Sequence, residues 1–225
     1  MSLNLPNAIT IGRILIAPLI AALPFIGSPL ARIAAFVAFI VAAVSDYVDG
    51  MLARNHNLET DLGRLLDPLA DKLLLFATLI PMFVLMSPPT DRLAPGRESF
   101  DAAHSFPFDT PFGPVGLPWW IIAIVLGREL FMTVFRQLAA RRGVVIAAIG
   151  PAKWKTGLQW TWVGSAYFWF FAATLAARNS WDTPAWQGFA YLNAFVGLTT
   201  MAAAVVLTIY SLYLYIKRYG SVFSG

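Results

Sequence analysis

Residues 46–71 read DYVDGMLARNHNLETDLGRLLDPLAD. The sequence on either side is uncharged: residues 33–45 (IAAFVAFIVAAVS) and 73–86 (LLLFATLIPMFVLM) carry no ionisable group. Two helices of membrane-spanning length joined by the short polar loop 54–61 fit this pattern. Asp46, Asp49, Asp67 and Asp71 then fall inside the helices and not in the loop. Charge at membrane depth is costly, so such groups face a polar interior and mark a functional site.

The rest of the chain agrees with a membrane setting. Of its 225 residues, 58% are hydrophobic and 12% charged, about half the charged share of an ordinary soluble domain. An all-α, polytopic membrane protein is expected, with six spans at 7–27, 31–53, 62–87, 118–141, 152–177 and 187–216 around a polar cavity near the cytoplasmic side. Residues 1–225 form one membrane domain. Its single long connection, 88–117, holds six prolines from Pro88 to Pro114 and is expected to be irregular or to carry one short surface helix. The first apolar run follows an uncharged MSLNLPN and is read as a span, not a removed signal peptide. With no cysteine, disulfide and thiol chemistry are excluded. The net charge of +4 speaks to topology and lipid contact, and no nucleic-acid partner is expected.

Basic residues near the span ends set the orientation. Arg54, Arg64, Arg136, Arg141, Arg142, Lys153, Lys155, Lys217 and Arg218 fall on one side, against Arg32, Arg92, Arg97 and Arg178 on the other. The first group belongs in the cytoplasm with both termini, which leaves 88–117 outside. Trp119, Trp120, Trp181 and Trp186 then read as an outer aromatic belt, with Trp154 and Trp160 nearer the inner edge.

Helix geometry brings the four aspartates together. At 1.5 Å per residue, Asp46 and Asp71 each lie about 12 Å from their loop ends, so the two pairs share a depth. Asp46, Asp49, Gly50, Ala53 and Arg54 occupy one face of the second span, and Gly63, Asp67 and Asp71 one face of the third. A short loop makes the two helices antiparallel neighbours whose faces can meet. Four carboxylates in one cavity need cations. An oxygen-only set without Cys or His suits Mg²⁺ or Mn²⁺ over zinc. Gly50, Ala53 and Gly63 leave room for a bulky ligand, and Arg54 and Arg64 suit phosphate at the mouth. The implied chemistry is metal-assisted displacement at phosphorus. Carboxylates merely paired with nearby arginines and Lys72 would explain one aspartate, but not four at this spacing.

The run Asp46-x2-Asp49-Gly50-x2-Ala53-Arg54-x8-Gly63-x3-Asp67-x3-Asp71 resembles the signature of the CDP-alcohol phosphotransferases at every position. The resemblance implies six spans, cytoplasmic termini, a homodimer and a bacterial inner-membrane location. It implies metal binding by Asp46, Asp49, Asp67 and Asp71, with Asp71 as the base that deprotonates the acceptor hydroxyl. It further implies that Asp46, Gly50, Ala53, Arg54 and Gly63 hold the CDP moiety of CDP-diacylglycerol. Pro6-Asn7-x2-Thr10-x2-Arg13 is also similar to the family's first span, and Asn7, Thr10 and Arg13 share a helix face that would line the nucleotide end. As simpler roles, Asn7 or Thr10 caps the first helix and Arg13 reaches the interface.

The acceptor alcohol must be read elsewhere. Arg128 and Glu129 lie inside the fourth span, with Arg136 two turns on; Lys153 and Lys155 open the fifth. Cations converging on the inner end of the cavity suit an acceptor that itself carries a phosphate. The rival role for the lysines is positive-inside topology and anionic-lipid contact. The set Arg128-Glu129…Arg136…Lys153-x-Lys155-Thr156-x2-Gln159 resembles the phosphatidylglycerophosphate synthase branch, in which the acceptor is glycerol 3-phosphate. Ala152 stands where that branch commonly has Gly. Other acceptors, phosphatidylglycerol (a cardiolipin synthase) or an inositol phosphate, keep the same chemistry. A membrane prenyltransferase would have Asp motifs on two separated helix pairs, and an ion transporter would show broken helices and a repeat. His56 and His104 read as solvated.

Overall fold

The computed structural model describes residues 5–55, 61–87, 105–147 and 150–220, with side chains described outside 5–6, 47–55, 61, 62, 64, 65, 151 and 153. The described residues form six long helices: α1 (Leu5–Ala22), α2 (Pro29–Asn55), α3 (Asp61–Met86), α4 (Trp119–Arg141), α5 (Gly150–Asn179) and α6 (Pro184–Tyr219). These bounds follow the expected spans closely. Among the described residues four stretches are long and apolar enough to cross a membrane: Asn7–Phe25, Pro29–Asp46, Leu66–Met86 and Pro184–Tyr219. The charges of α4 and the Gly, Ser and Trp content of α5 make those two helices less apolar.

Local chemistry sets the breaks. Pro24 and Pro29 flank the turn between α1 and α2, where a 3₁₀ turn (Leu23–Phe25) ends the first helix. Gly143, at φ 76°, follows the end of α4 in the left-handed region that glycine enters without a Cβ clash. Thr183 caps α6, its hydroxyl accepting from the Trp186 amide at 3.2 Å, with Pro184 at the first helical position.

Helix α5 packs along α6 and against α2, while α1 packs on both α2 and α3. Among the described residues α1 is the main neighbour of both α2 and α3, and the aspartate faces of α2 and α3 come together over it, where Asp46 and Asp71 share Arg13. Carboxylates on two helices repel, and a cation supplied by a third helix relieves that repulsion.

The long connection also differs from expectation. Its described part is an antiparallel hairpin, β1 (Phe108–Thr110) with β2 (Gly113–Val115), pairing Phe108 with Val115 and Thr110 with Gly113. Residues 88–104 lie outside the described residues, as does His104. The hairpin closes the end of α3, whose last carbonyls have no helical partner. Leu85 O accepts from the Phe106 amide at 2.8 Å, and Met86 O from the Leu117 amide at 2.7 Å. Phe106 and Phe108 are buried in the core, and a Cβ on Gly197 of α6 would come within 2.4 Å of the Phe108 ring. Arg32 is buried beneath this cover. Its Nε donates to Pro24 O at 3.1 Å, its Nη1 to the Thr174 hydroxyl, and its guanidinium lies 4.2 Å from the centroid of the Phe106 ring.

Tyr167 of α5 joins three helices at the core. Pro24 and Pro81 have no N–H, so Ile20 O and Ala77 O, four residues before them, lack a helical donor. The buried Tyr167 hydroxyl lies 3.1 Å from Ala77 O, 3.3 Å from Thr78 O and 3.4 Å from Ile20 O. Tyr167→Phe keeps the ring and removes this donor. It should cost about 1 kcal/mol of stability, read as a melting temperature lowered by a few degrees in detergent; an unchanged melting temperature would show the hydroxyl to be idle.

Candidate active site

Three buried residues of α1 organise the acidic side of the site. Asn7, Thr10 and Arg13 recur every third residue and share a face turned into the bundle. The Thr10 hydroxyl donates to Asp67 Oδ1 at 2.9 Å. Arg13 Nη1 donates to Asp46 Oδ1 and, at 2.9 Å, to Asp71 Oδ1. The Arg13 side chain is 1% exposed, whereas those of Asp46 and Asp71 are 41% and 58% exposed. A buried guanidinium thus backs carboxylates that open into a cavity. One contact from α1 to both α2 and α3 puts Asp46 and Asp71 at a common depth, as helix geometry required.

That cavity, of about 490 Å³, is lined by Asp46, Asp67, Asp71 and Lys72 on one side and by α4 and α5 on the other. The α4 and α5 wall presents Glu129, Thr133, Arg136, Gln137, Lys155 and Gln159. Glu129 Oε1 accepts from Lys155 Nζ and, at 2.8 Å, from Arg128 Nη1. Lys155 and Gln159 are buried, while Arg136 is exposed to the cavity. Arg128 stands behind Glu129 and does not line the cavity.

The structure therefore brings Thr10, Arg13, Asp46, Asp67 and Asp71 together, with Asn7 buried on the same face of α1, and sets Arg136 and Lys155 on the α4 and α5 wall of the same cavity. Gly63 is buried near the start of α3. The side chains of Asp49, Gly50, Ala53, Arg54, Arg64 and Lys153 lie outside the described residues, as does His56. Two contributors were not legible in advance, Ser211 and Tyr215 of α6. Ser211 Oγ accepts from Arg128 Nη2 at 3.2 Å, and the Tyr215 hydroxyl from Arg136 Nη2 at 3.3 Å. Their only signal is a face of α6, Thr208, Ser211 and Tyr215, that is polar within an apolar helix.

Carboxylates facing cations across one cavity suit a substrate pair that brings metal-bound and free phosphates together. The chain matches the profile of the CDP-alcohol phosphatidyltransferases over residues 3–210. The chain belongs to that family. It is a phospholipid-synthesising transferase of the EC 2.7.8 type, and a membrane protein. A probable phosphatidylglycerophosphate synthase of Mycobacterium tuberculosis is 30% identical over 96% of this chain and 81% of its own length. A CDP-diacylglycerol–glycerol-3-phosphate 3-phosphatidyltransferase of Bacillus subtilis is 35% identical over 69% of this chain and 72% of its own. A CMP-forming cardiolipin synthase of rice (Oryza sativa) is 30% identical over 96% of this chain and 57% of its own.

Members of the family generally depend on a divalent metal. The donor chemistry in this transferase fits one: Asp46, Asp67 and Asp71 offer oxygen alone, without imidazole or thiol among the described lining residues. Among the described residues no three such side chains are grouped closely enough to hold an ion by themselves. Arg13 is the counter-cation of Asp46 and Asp71 in this arrangement. Arg13→Gln should therefore lower the melting temperature in EDTA, by an amount equivalent to about 2 kcal/mol, and added Mn²⁺ should restore part of it. Equal melting temperatures for variant and wild type in EDTA would count against this role.

Proposed function

We propose that this transferase moves a phosphatidyl group from CDP-diacylglycerol to sn-glycerol 3-phosphate, giving phosphatidylglycerophosphate and CMP. The observation that carries the reading is the two-sided cavity, with Asp46, Asp67 and Asp71 facing Arg136 and Lys155. A donor held through its pyrophosphate needs the acidic side, and an acceptor with its own phosphate needs the basic side. The bacterial relatives named for this reaction support the same assignment.

Asp46, Asp49, Asp67 and Asp71 would hold Mg²⁺ or Mn²⁺, which when bound supplies positive charge to the pyrophosphate. Asn7, Thr10, Arg13, Gly50, Ala53, Arg54 and Gly63 would position the CDP moiety. Arg136 and Lys155, with Lys153, would hold the acceptor phosphate, and Arg128 would act through Glu129. The acceptor hydroxyl oxygen bonds to the lipid-side phosphorus as the bond from that phosphorus to the bridging oxygen breaks. CMP leaves with the bridging oxygen, and Asp71 takes the hydroxyl proton. An apolar groove of about 530 Å³ between α2, α5 and α6 shares Trp160 with the cavity, which suits a lipid substrate whose head is held among charges. The enzyme would act as a homodimer in the bacterial inner membrane with both termini cytoplasmic; the basic residues at the inner span ends support that orientation.

The likeness to a cardiolipin synthase raises phosphatidylglycerol as a second acceptor. Its phosphodiester carries one negative charge where the glycerol 3-phosphate monoester carries up to two, so the paired cations favour the monoester. Purified protein in detergent should release CMP from CDP-diacylglycerol with glycerol 3-phosphate and Mg²⁺ or Mn²⁺. Release with phosphatidylglycerol alone would transfer the assignment to cardiolipin synthesis. Asp71→Asn should lower turnover at least about 100-fold while CDP still binds; near-normal turnover would refute Asp71 as the base.

A further inference from the structure

Among the described residues helix α6 contributes no lining residue to the cavity but supports the arginines of α4 from behind, and nothing in the signature motifs points to it. Arg128 and Arg136 lie two turns apart on α4, and the fully buried Tyr215 ring stands between them. Its centroid is 5.8 Å from the Arg128 guanidinium carbon and 5.6 Å from that of Arg136. The Tyr215 hydroxyl also accepts from Arg136 Nη2 at 3.3 Å. One turn earlier on α6, Ser211 Oγ accepts from Arg128 Nη2 at 3.2 Å.

The two arginines have different supports. Arg128 is buried and held by both Glu129 and Ser211. Arg136 is exposed to the cavity and is the one of the pair able to reach a ligand there. A free arginine side chain has many rotamers, and ordering it on binding costs up to about 2 kcal/mol. A buried aromatic face and an acceptor oxygen fix the guanidinium beforehand, and the π-face offsets the repulsion between two neighbouring cations.

We propose that Tyr215 is a positioning residue for the acceptor: it holds Arg136 in the orientation that binds the acceptor's phosphate and so lowers the KM for that substrate. Tyr215 itself does not line the cavity. This inference rests on the reading of Arg136 and Lys155 as the acceptor-phosphate site.

The test is steady-state kinetics on detergent-purified full-length protein with CDP-diacylglycerol and glycerol 3-phosphate. Tyr215→Phe, which keeps the ring and the packing, should raise the KM for glycerol 3-phosphate about 5-fold. The KM for CDP-diacylglycerol and kcat should stay within about 2-fold. In an Arg136→Gln background the same Tyr215→Phe change should raise that KM no further, since the interaction it removes is already gone. A general loss of packing would instead move both KM values and persist in the Arg136→Gln background, and that result overturns the proposal. So does an unchanged KM in Tyr215→Phe, which leaves the transferase reading intact. Wild-type protein that releases no CMP with glycerol 3-phosphate overturns both.

Discussion

Holding several carboxylates within apolar helices without driving those helices apart is the constraint on which the rest of the molecule depends. Arg13 meets it from α1. A single guanidinium nitrogen bonds carboxylates on α2 and α3, and Thr10 bonds a third. Because Arg13 is buried and the aspartates are half open, the positive charge lies behind the acidic surface and leaves its front to the cavity. The helix order follows from this. With α1 packed on both α2 and α3, the open side of the acidic surface is left for α4 and α5 to close, and those helices bring the cations.

The two sides of the cavity use opposite strategies. On the acidic side, a buried cation supports exposed anions. On the basic side, a carboxylate, Glu129, gathers Lys155 and Arg128, and α6 supports the arginines through Ser211 and Tyr215. In both, a charged group that faces the cavity is held in place by a partner on another helix, which in the proposed function would lower the ordering cost of binding. At the far end of the bundle the hairpin, Arg32 and the Tyr167 hydroxyl satisfy polar backbone and close the core. That rigid end anchors helices whose other ends form the cavity.

Much of this was legible in residues 46–71 and in the run of apolar segments. Helical periodicity alone put the aspartates on shared faces at a shared depth, and the apolar segments marked where the helices run. What was not legible depends on contacts far apart in sequence. No periodicity in α1 says that it packs on both α2 and α3; an arginine three residues from a threonine is the trace, and it reads equally as a cap and an interfacial charge. The hairpin was hidden in a proline-rich stretch because its strands are three residues each and take their order from Leu85, Met86 and Gly197. Ser211 and Tyr215 look like ordinary membrane-helix residues until α4 is packed beside them.

The central claim is that one cavity joins a metal-requiring acidic surface to a basic surface that selects a phosphorylated acceptor. Its most direct test is the ratio of kcat/KM for glycerol 3-phosphate to that for glycerol, at saturating CDP-diacylglycerol, in wild type and in Lys155→Gln. A strong wild-type preference for the phosphorylated acceptor should fall at least about 10-fold in the variant. A wild-type enzyme that uses glycerol equally well, or a ratio untouched by the loss of Lys155, would contradict the account.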